Sequence, residues 1–359
     1  MELWTLGVAS PRGTADYAKI AEDAGWHGLL VVDSQNLSGD SYVALAMAAT
    51  VTSTLGLGTG VTNNATRHPA VTAAAIASVH KISAGRACLG IGRGDSALAH
   101  LGSAPARLGP FERYVEMLQT YLAGGEVPFS DSAIDPAVAP PVADLELADT
   151  PRFSRIQWLA GTTPADKVPV EVAATGPKVI GIGARHAERI MFTLGADPER
   201  LAWGMSVARE AASAHGRDPD SLRFGAYVNL ACHPDREEAR NLVRGGLTTF
   251  ARFSVMHGRI SGPVDDDQTQ VLNALHDSYD MNKHTRGDSR QASMLTPEFI
   301  DRYAVVGDAD EVLGKLAALK ALGMDKLAVS GPTVAAKAPA AIAAIEHLNR
   351  EVLPNLSDR

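Results

Sequence analysis

The sequence predicts a closed (β/α)₈ TIM barrel, and three observations carry that expectation. Short apolar runs alternate with amphipathic helical stretches along all 359 residues, and eight such runs can be traced. The composition is aliphatic, 45% hydrophobic with 5% aromatic residues, which suits parallel strands covered on both faces. No glycine-rich dinucleotide fingerprint follows the first run, which disfavours an open doubly wound sheet.

Taken in order, the run 3–9 opens the barrel and 16–24 returns the chain as a helix. The run 28–34 is apolar until Asp33, and 42–51 follows as an alanine-rich helix. The third run, 55–62, is studded with glycine. Pro69 then suits the first turn of a helix over 70–82, with His68 just before it. Run 86–92 leads to a helix over 112–123. The runs 170–175, 189–194, 222–231 and 326–330 repeat the pattern, with helices over 200–215, 236–255 and 310–322. Gly323 closes the last of these, and Gly331–Pro332 turns the chain into a final alanine-rich helix.

Two stretches interrupt the repeat. Residues 126–167, rich in Pro, Ala and Asp with a strand-like 155–159, lie between the fourth helix and the fifth strand. Residues 257–298, with the acidic run Asp265–Asp267 and a polar segment over 282–293, precede the eighth strand. Insertions of this kind lengthen rim loops, where they cap a site or build a subunit interface. Neither has the composition of a separate domain, so one domain is expected.

The formal net charge of −8 argues against nucleic acid or an anionic membrane as partner. Cys88 and Cys232 each sit inside an apolar run, as buried small hydrophobes do, and a reducing compartment is expected. The N-terminus lacks the features of a signal peptide, and no apolar run reaches the ~20 residues of a membrane span, so the cytoplasm is the expected location. The histidines, His257, His276 and His284 among them, have no metal spacing, and no metal site is expected. There is no nucleophile elbow and no Walker loop.

Barrel enzymes place their chemistry where strands end. After the second strand stand Asp33 and Ser34, and Asp33 is expected to face the mouth. After the third come Gly60, Val61, Thr62 and Asn63, where closely spaced glycines mark a bulge, or backbone approached by something flat. Arg67 and His68, just beyond, are equally suited to bracing the loop or touching substrate. After the fourth, Gly90, Gly92 and Gly94 alternate while Arg93 and Asp95 are presented. Thr175–Gly176 and Thr193 open the turns after the fifth and sixth strands, and two neighbouring helix N-termini on one rim suit a phosphate-bearing cofactor.

The runs LGLGTGVTN (55–63), RHPAVTA (67–73) and GRACLGIGRGDS (85–96) closely resemble the luciferase-like superfamily, in particular its F420-dependent methylenetetrahydromethanopterin reductase branch. The likeness continues through 173–178 and 305–323. It implies a non-prolyl cis peptide at Gly60–Val61 supporting the central ring of an isoalloxazine, with Thr62, Asn63 and Gly92 in the same bulge region. It implies Asp33 near the redox edge, Asp95 beside the substrate, backbone of Ala174, Thr175 and Gly176 on the ring, and Thr193 at the cofactor phosphate. The chain departs from these relatives at Ser34, where several carry histidine, and at Leu6-Gly7-Val8, where the reductases carry glutamate. The function implied is hydride transfer between C5 of coenzyme F420 and an organic substrate. The alternatives are an FMN-dependent monooxygenase and a non-catalytic flavin-binding protein. Such relatives are often homodimers or larger homo-oligomers.

Overall fold

The computed structural model describes residues 1–132, 134–333 and 336–356, with His257 by its backbone alone. The barrel strands are β1 (Glu2–Val8), β2 (Gly28–Val32), β3 (Gly56–Thr59), β4 (Ala87–Gly92), β5 (Val170–Ala174), β6 (Arg189–Phe192), β7 (Arg223–Cys232) and β8 (Lys326–Ser330). Each pairs in parallel with the next, and β8 returns to β1 with Glu2 opposite Lys326, so the expected barrel is closed.

Around it stand α1 (Pro11–Asp23), α2 (Ser41–Val51), α3 (Pro69–Ile82), α4 (Leu108–Leu122), α5 (Pro177–His186), α6 (Pro198–Ala214), α7 (Arg236–Ser254), α8 (Ala309–Leu322) and α9 (Pro339–His347). Their ends follow local chemistry. Asp40 accepts the Tyr42 and Val43 N–H groups at the start of α2, and His68 with Pro69 opens α3. Asp308 and Glu311 form a reciprocal capping box on α8, which Gly323 ends at φ 112°.

Three local expectations are corrected. The third run does not continue as one strand, because the chain bulges at Gly60–Val61 before Thr62–Asn63 resumes pairing with β4. The strand-like 155–159 is instead a short antiparallel pairing of Phe153–Ser154 with Val127–Pro128, followed by a 3₁₀ turn over Gln157–Leu159. Val305–Gly307 is a short strand that sequence alone did not resolve; it pairs with the distal part of β7, where β6 no longer reaches. The first insertion contacts the outer helices: Ser132 O meets His68 Nε2 at 2.9 Å, and Tyr121 donates to Ser154 at 2.7 Å.

The barrel interior is packed in layers. At the N-terminal end Trp4 fills the floor, and Gly28 and Gly56 make room for it, since a Cβ on Gly28 would lie 2.3 Å from the indole. The fully buried Lys326 places Nζ 3.4 Å from the Trp4 ring centroid and pairs with buried Glu171 at 2.8 Å. Glu171 also takes Arg189, itself held by Asp325 at 2.9 Å. Above them Leu30, Cys88, Met191, Tyr227 and Ala328 form an apolar layer. Burial pushes the Cys88 thiol up to about 12, so it packs as a hydrophobe.

Candidate active site

The C-terminal mouth is built on that apolar layer. Leu6, Val61, Ala173 and Phe250 pack on it while staying partly open. Phe250 comes from α7, which crosses close to the ends of β7 and β8. A Cβ on Gly246 would lie 2.8 Å from Asn229 Nδ2, and the Phe250 ring stacks on Tyr227 at 6.0 Å. The Gly60–Val61 peptide is cis, at the position the resemblance indicates. Beside it Gly92 lacks a side chain where a Cβ would meet Val61 Cγ2 at 3.1 Å and Ala173 Cβ at 3.8 Å. Val61, Gly92 and Ala173 therefore leave a low shelf. The inward-facing residue of β5 is Ala173; Ala174 turns its side chain to the helix layer and contributes its carbonyl, which accepts from Thr193 N at 2.9 Å.

The structure brings Asp33, Thr62 and Asn63 together, but not as an open carboxylate. Asp33 is 2% exposed and both its oxygens are engaged. Thr62 Oγ1 donates at 2.7 Å and Arg67 at 2.5 Å to one oxygen, and Gln35 Nε2 at 3.0 Å to the other. Asn63 links in through Gln35 at 3.0 Å, and its own carbonyl oxygen caps the turn at Ala65 and Thr66. Arg67 continues to Asp40 at 2.9 Å and lies over the Tyr42 ring at 4.9 Å. Arg67, open to either role in the sequence, is thus the brace of this loop, and Asp33 is its anchor.

Ser34 meets Ser96 hydroxyl to hydroxyl at 3.3 Å, joining the second and fourth rim loops. Asp95 reaches across to Arg252 in the last turn of α7. Arg252 lies over the Tyr279 ring at 4.5 Å, and the Tyr279 hydroxyl meets His284 Nδ1 at 2.8 Å. These last two residues belong to the second insertion, so Asp95 holds that insertion to the rim. Nothing local in the sequence announced Arg252, because its partner is 157 positions away.

Burial, then the neighbouring Arg252 and His100, lower the His284 pKa to about 4. The unfolded chain therefore binds more protons than the folded one between pH 6.5 and about 4, and stability is lost as pH falls through that window. The loss should approach ~3 kcal/mol at pH 4, at about 1.4 kcal/mol per unit. Urea unfolding from pH 7 to 4.5 should show a downward slope that His284→Gln flattens; parallel curves for the two proteins would refute this.

Thr175 and Thr193 share a hydroxyl hydrogen bond between the fifth and sixth rim turns. Their helices differ, which corrects the expectation of two open N-termini. Asp197 accepts Glu199 N at 3.0 Å and Arg200 N at 3.4 Å, so α6 is closed by a buried carboxylate. At α5 Gly176 caps without a side chain, and a Cβ there would meet only Ser261 Oγ at 3.5 Å. An anion is therefore favoured at α5 and disfavoured at α6.

The second insertion is held over this rim by Arg200, which is fully buried. It donates to Leu194 O at 3.2 Å, Pro263 O at 2.8 Å, Ser261 O at 2.8 Å and Ser254 Oγ at 2.9 Å. Among the described residues, Glu112, Glu116 and His186 bring ligand-type atoms within 4.8 Å of one another. They lie between α4 and α5, away from the mouth, and Glu112 is already bridged to Arg185.

Comparison with known proteins agrees with this architecture. The chain is 26% identical over 349 residues to 5,10-methylenetetrahydromethanopterin reductase of Archaeoglobus fulgidus, covering 95% of this chain and 94% of that one. It is 32% identical over 276 residues to a phthiodiolone/phenolphthiodiolone dimycocerosates ketoreductase of a Mycobacterium species, covering 73% and 66%. The fold superposes on the coenzyme F420-dependent tetrahydromethanopterin reductase of Methanopyrus kandleri with a TM-score of 0.69 over 99% of both chains, at 21% identity. The luciferase-like monooxygenase family model matches residues 3–326. The chain is an oxidoreductase and belongs to the luciferase-like monooxygenase family.

Proposed function

We propose that the chain is a cytoplasmic F420-dependent oxidoreductase acting on a small organic substrate. The observation that carries the reading is the shelf of Val61, Gly92 and Ala173 beside the Gly60–Val61 bulge, built of small side chains that touch one another. Those residues fit a planar tricyclic ring, and the near-full-length similarity to a methanopterin reductase favours a deazaflavin. When bound, the deazaflavin supplies the hydride chemistry at C5. The chain's own residues orient it. Val61 and Gly92 would support the ring, and the Ala174–Gly176 backbone would border it. Thr175, Thr193 and the open start of α5 receive the phosphate. Asp33 fixes Thr62, Asn63 and Arg67 at the ring's margin. Ser34 and Asp95 would lie on the substrate side, where Asp95 holds Arg252 and, through it, Tyr279 of the second insertion.

Titration of the purified protein with F420 and with FMN, read by visible absorption, tests the reading. F420 should bind at least tenfold tighter. Gly92→Ala, whose Cβ builds into the shelf against Val61, should weaken that binding by at least ~10-fold, a larger effect than its cost to the melting temperature explains. Tighter FMN binding with rapid oxygen consumption by the reduced complex would instead indicate a monooxygenase.

We also infer a homodimer through α2. This helix has no charged residue, and Val43, Met47 and Val51 are exposed along one side of it, with Val71 of α3 also exposed. Sedimentation should show a dimer that Met47→Asp dissociates; a wild-type monomer at micromolar concentration would refute it.

A further inference from the structure

Outside the barrel, where α4 meets the end of α5, three side chains with metal-ligand chemistry converge. Glu112 and Glu116 stand four residues apart on α4, so both carboxylates leave the same side of that helix. His186, the last residue of α5, is 74 positions from Glu112 along the chain, and no local spacing announces it. Its Nε2 sits between the two carboxylates, 3.2 Å from Glu112 Oε1 and 3.4 Å from Glu116 Oε1. The His186 main chain is fixed from the next turn of α4, where Gln119 Nε2 donates to its carbonyl at 2.5 Å.

Hydrogen bonding does not account for this meeting. One ring nitrogen carries at most one hydrogen, which serves one carboxylate and leaves the other without a donor. The neighbouring cations do not supply the missing one. Arg185 is engaged with Glu112, Lys167 with Glu188 at 3.0 Å, and Arg217 with the carbonyls of Ala184 at 3.0 Å and Ala187 at 2.7 Å. Among the described residues, the partner given to the Glu116 carboxylate is His186. The spacing is instead that of a coordination shell. With bonds of about 2.0–2.2 Å, neighbouring nitrogen and oxygen ligands of a tetrahedral or octahedral ion lie about 2.8–3.6 Å apart. Both separations from His186 fall in that range, and all three ligand atoms lie within 4.8 Å of one another.

We propose that Glu112, Glu116 and His186 form a site for a divalent transition ion of the zinc class, which ties α4 to α5 on the outside of the barrel. One imidazole nitrogen with two carboxylate oxygens suits such an ion, whereas magnesium and calcium take oxygen ligands. Arg185 need not leave. Both of its contacts fall on Glu112 Oε1, so a small rotation shares the carboxylate, one oxygen to the guanidinium and one to the ion. Glu116 is half exposed, and solvent completes the shell from that side. The ion is structural, and its site stands independently of the cofactor reading above.

The test uses the purified protein, stripped with EDTA and dialysed, with Zn²⁺ alone as the probe. Calorimetric titration should show one ion per chain with a micromolar Kd. Free Zn²⁺ at about 100 times that Kd should raise the melting temperature by about 3–5 °C. His186→Gln and Glu116→Gln should each weaken Zn²⁺ binding at least ~10-fold, while keeping the metal-free melting temperature within about 2 °C of the wild type. Co²⁺ in place of Zn²⁺ should give visible absorption bands that His186→Gln removes, and Mg²⁺ should not shift the melting temperature. A wild-type melting temperature that Zn²⁺ leaves unmoved would overturn the site and give the place between the carboxylates to a proton on His186. Zn²⁺ binding that survives in both variants would put the ion elsewhere and overturn it as well.

Discussion

Lys326→Met should lower the unfolding free energy by about 3–5 kcal/mol, because it strands Glu171 in the barrel with Arg189 as its remaining partner. Lys326 is 0% and Glu171 1% exposed, so no water replaces the lost ammonium. Methionine also gives up the contact with the Trp4 ring. Adding Glu171→Leu should recover more than half of the loss, since it removes the buried carboxylate left with Arg189 alone, and Arg189 keeps Asp325. Cofactor affinity should stay within about twofold, because Lys326 opens β8 and Glu171 lies near the start of β5, at the end of the barrel opposite the mouth. Urea unfolding of the two variants and the wild type measures this. A single-variant loss below 1 kcal/mol, or a double variant no more stable than the single, would contradict it.

Asp33→Ala should damage both turnover and stability. A carboxylate standing free at a rim would give up activity alone. Asp33 instead is buried and engages Thr62, Gln35 and Arg67, so its removal leaves Arg67 with Asp40 as its one carboxylate. We expect a loss of about 2–4 kcal/mol, below the full cost of breaking a buried pair because Arg67 keeps that second partner. Turnover should fall at least ~100-fold as Thr62 and Asn63 lose their anchor beside the bulge. Asp33→Asn, which retains the shape, should recover part of the stability and little of the turnover. Thermal unfolding alongside steady-state kinetics separates the two effects, and an Asp33→Ala protein with wild-type stability would remove the anchoring role.

The barrel was legible because its signal is repeated: most apolar runs are buried on both faces, and several helices start or stop on a local signal such as Asp40, Pro69 or Gly323. The bulge was legible through its glycines and its likeness to a known motif. What escaped depends on distance along the chain. Glu171 and Lys326 look like chance polar residues in strands until closure of the barrel sets one beside the other. Asp95 and Arg252 meet only after α7 has crossed the mouth. The closed N-terminus of α6 is encoded locally by Asp197 before Pro198, but the glycine turn just ahead of it has the same composition as an open, anion-binding start. The open N-terminus of α5 was correctly placed, since Gly176 has no side chain to close it.

Arg200 secures the second insertion chiefly through main-chain oxygens: Ser261 and Pro263 offer it carbonyls. A carbonyl is the same whichever side chain it carries. At Ser261 and Pro263 the attachment is thus indifferent to the side chains carried there, whereas Gln268 and Tyr279 hold the same insertion through theirs, to Asp197 and beneath Arg252. Ser261 and Pro263 can therefore change side chain without loss of the Arg200 contacts, provided their backbone course is kept, while changes at Gln268 or Tyr279 undo a contact each.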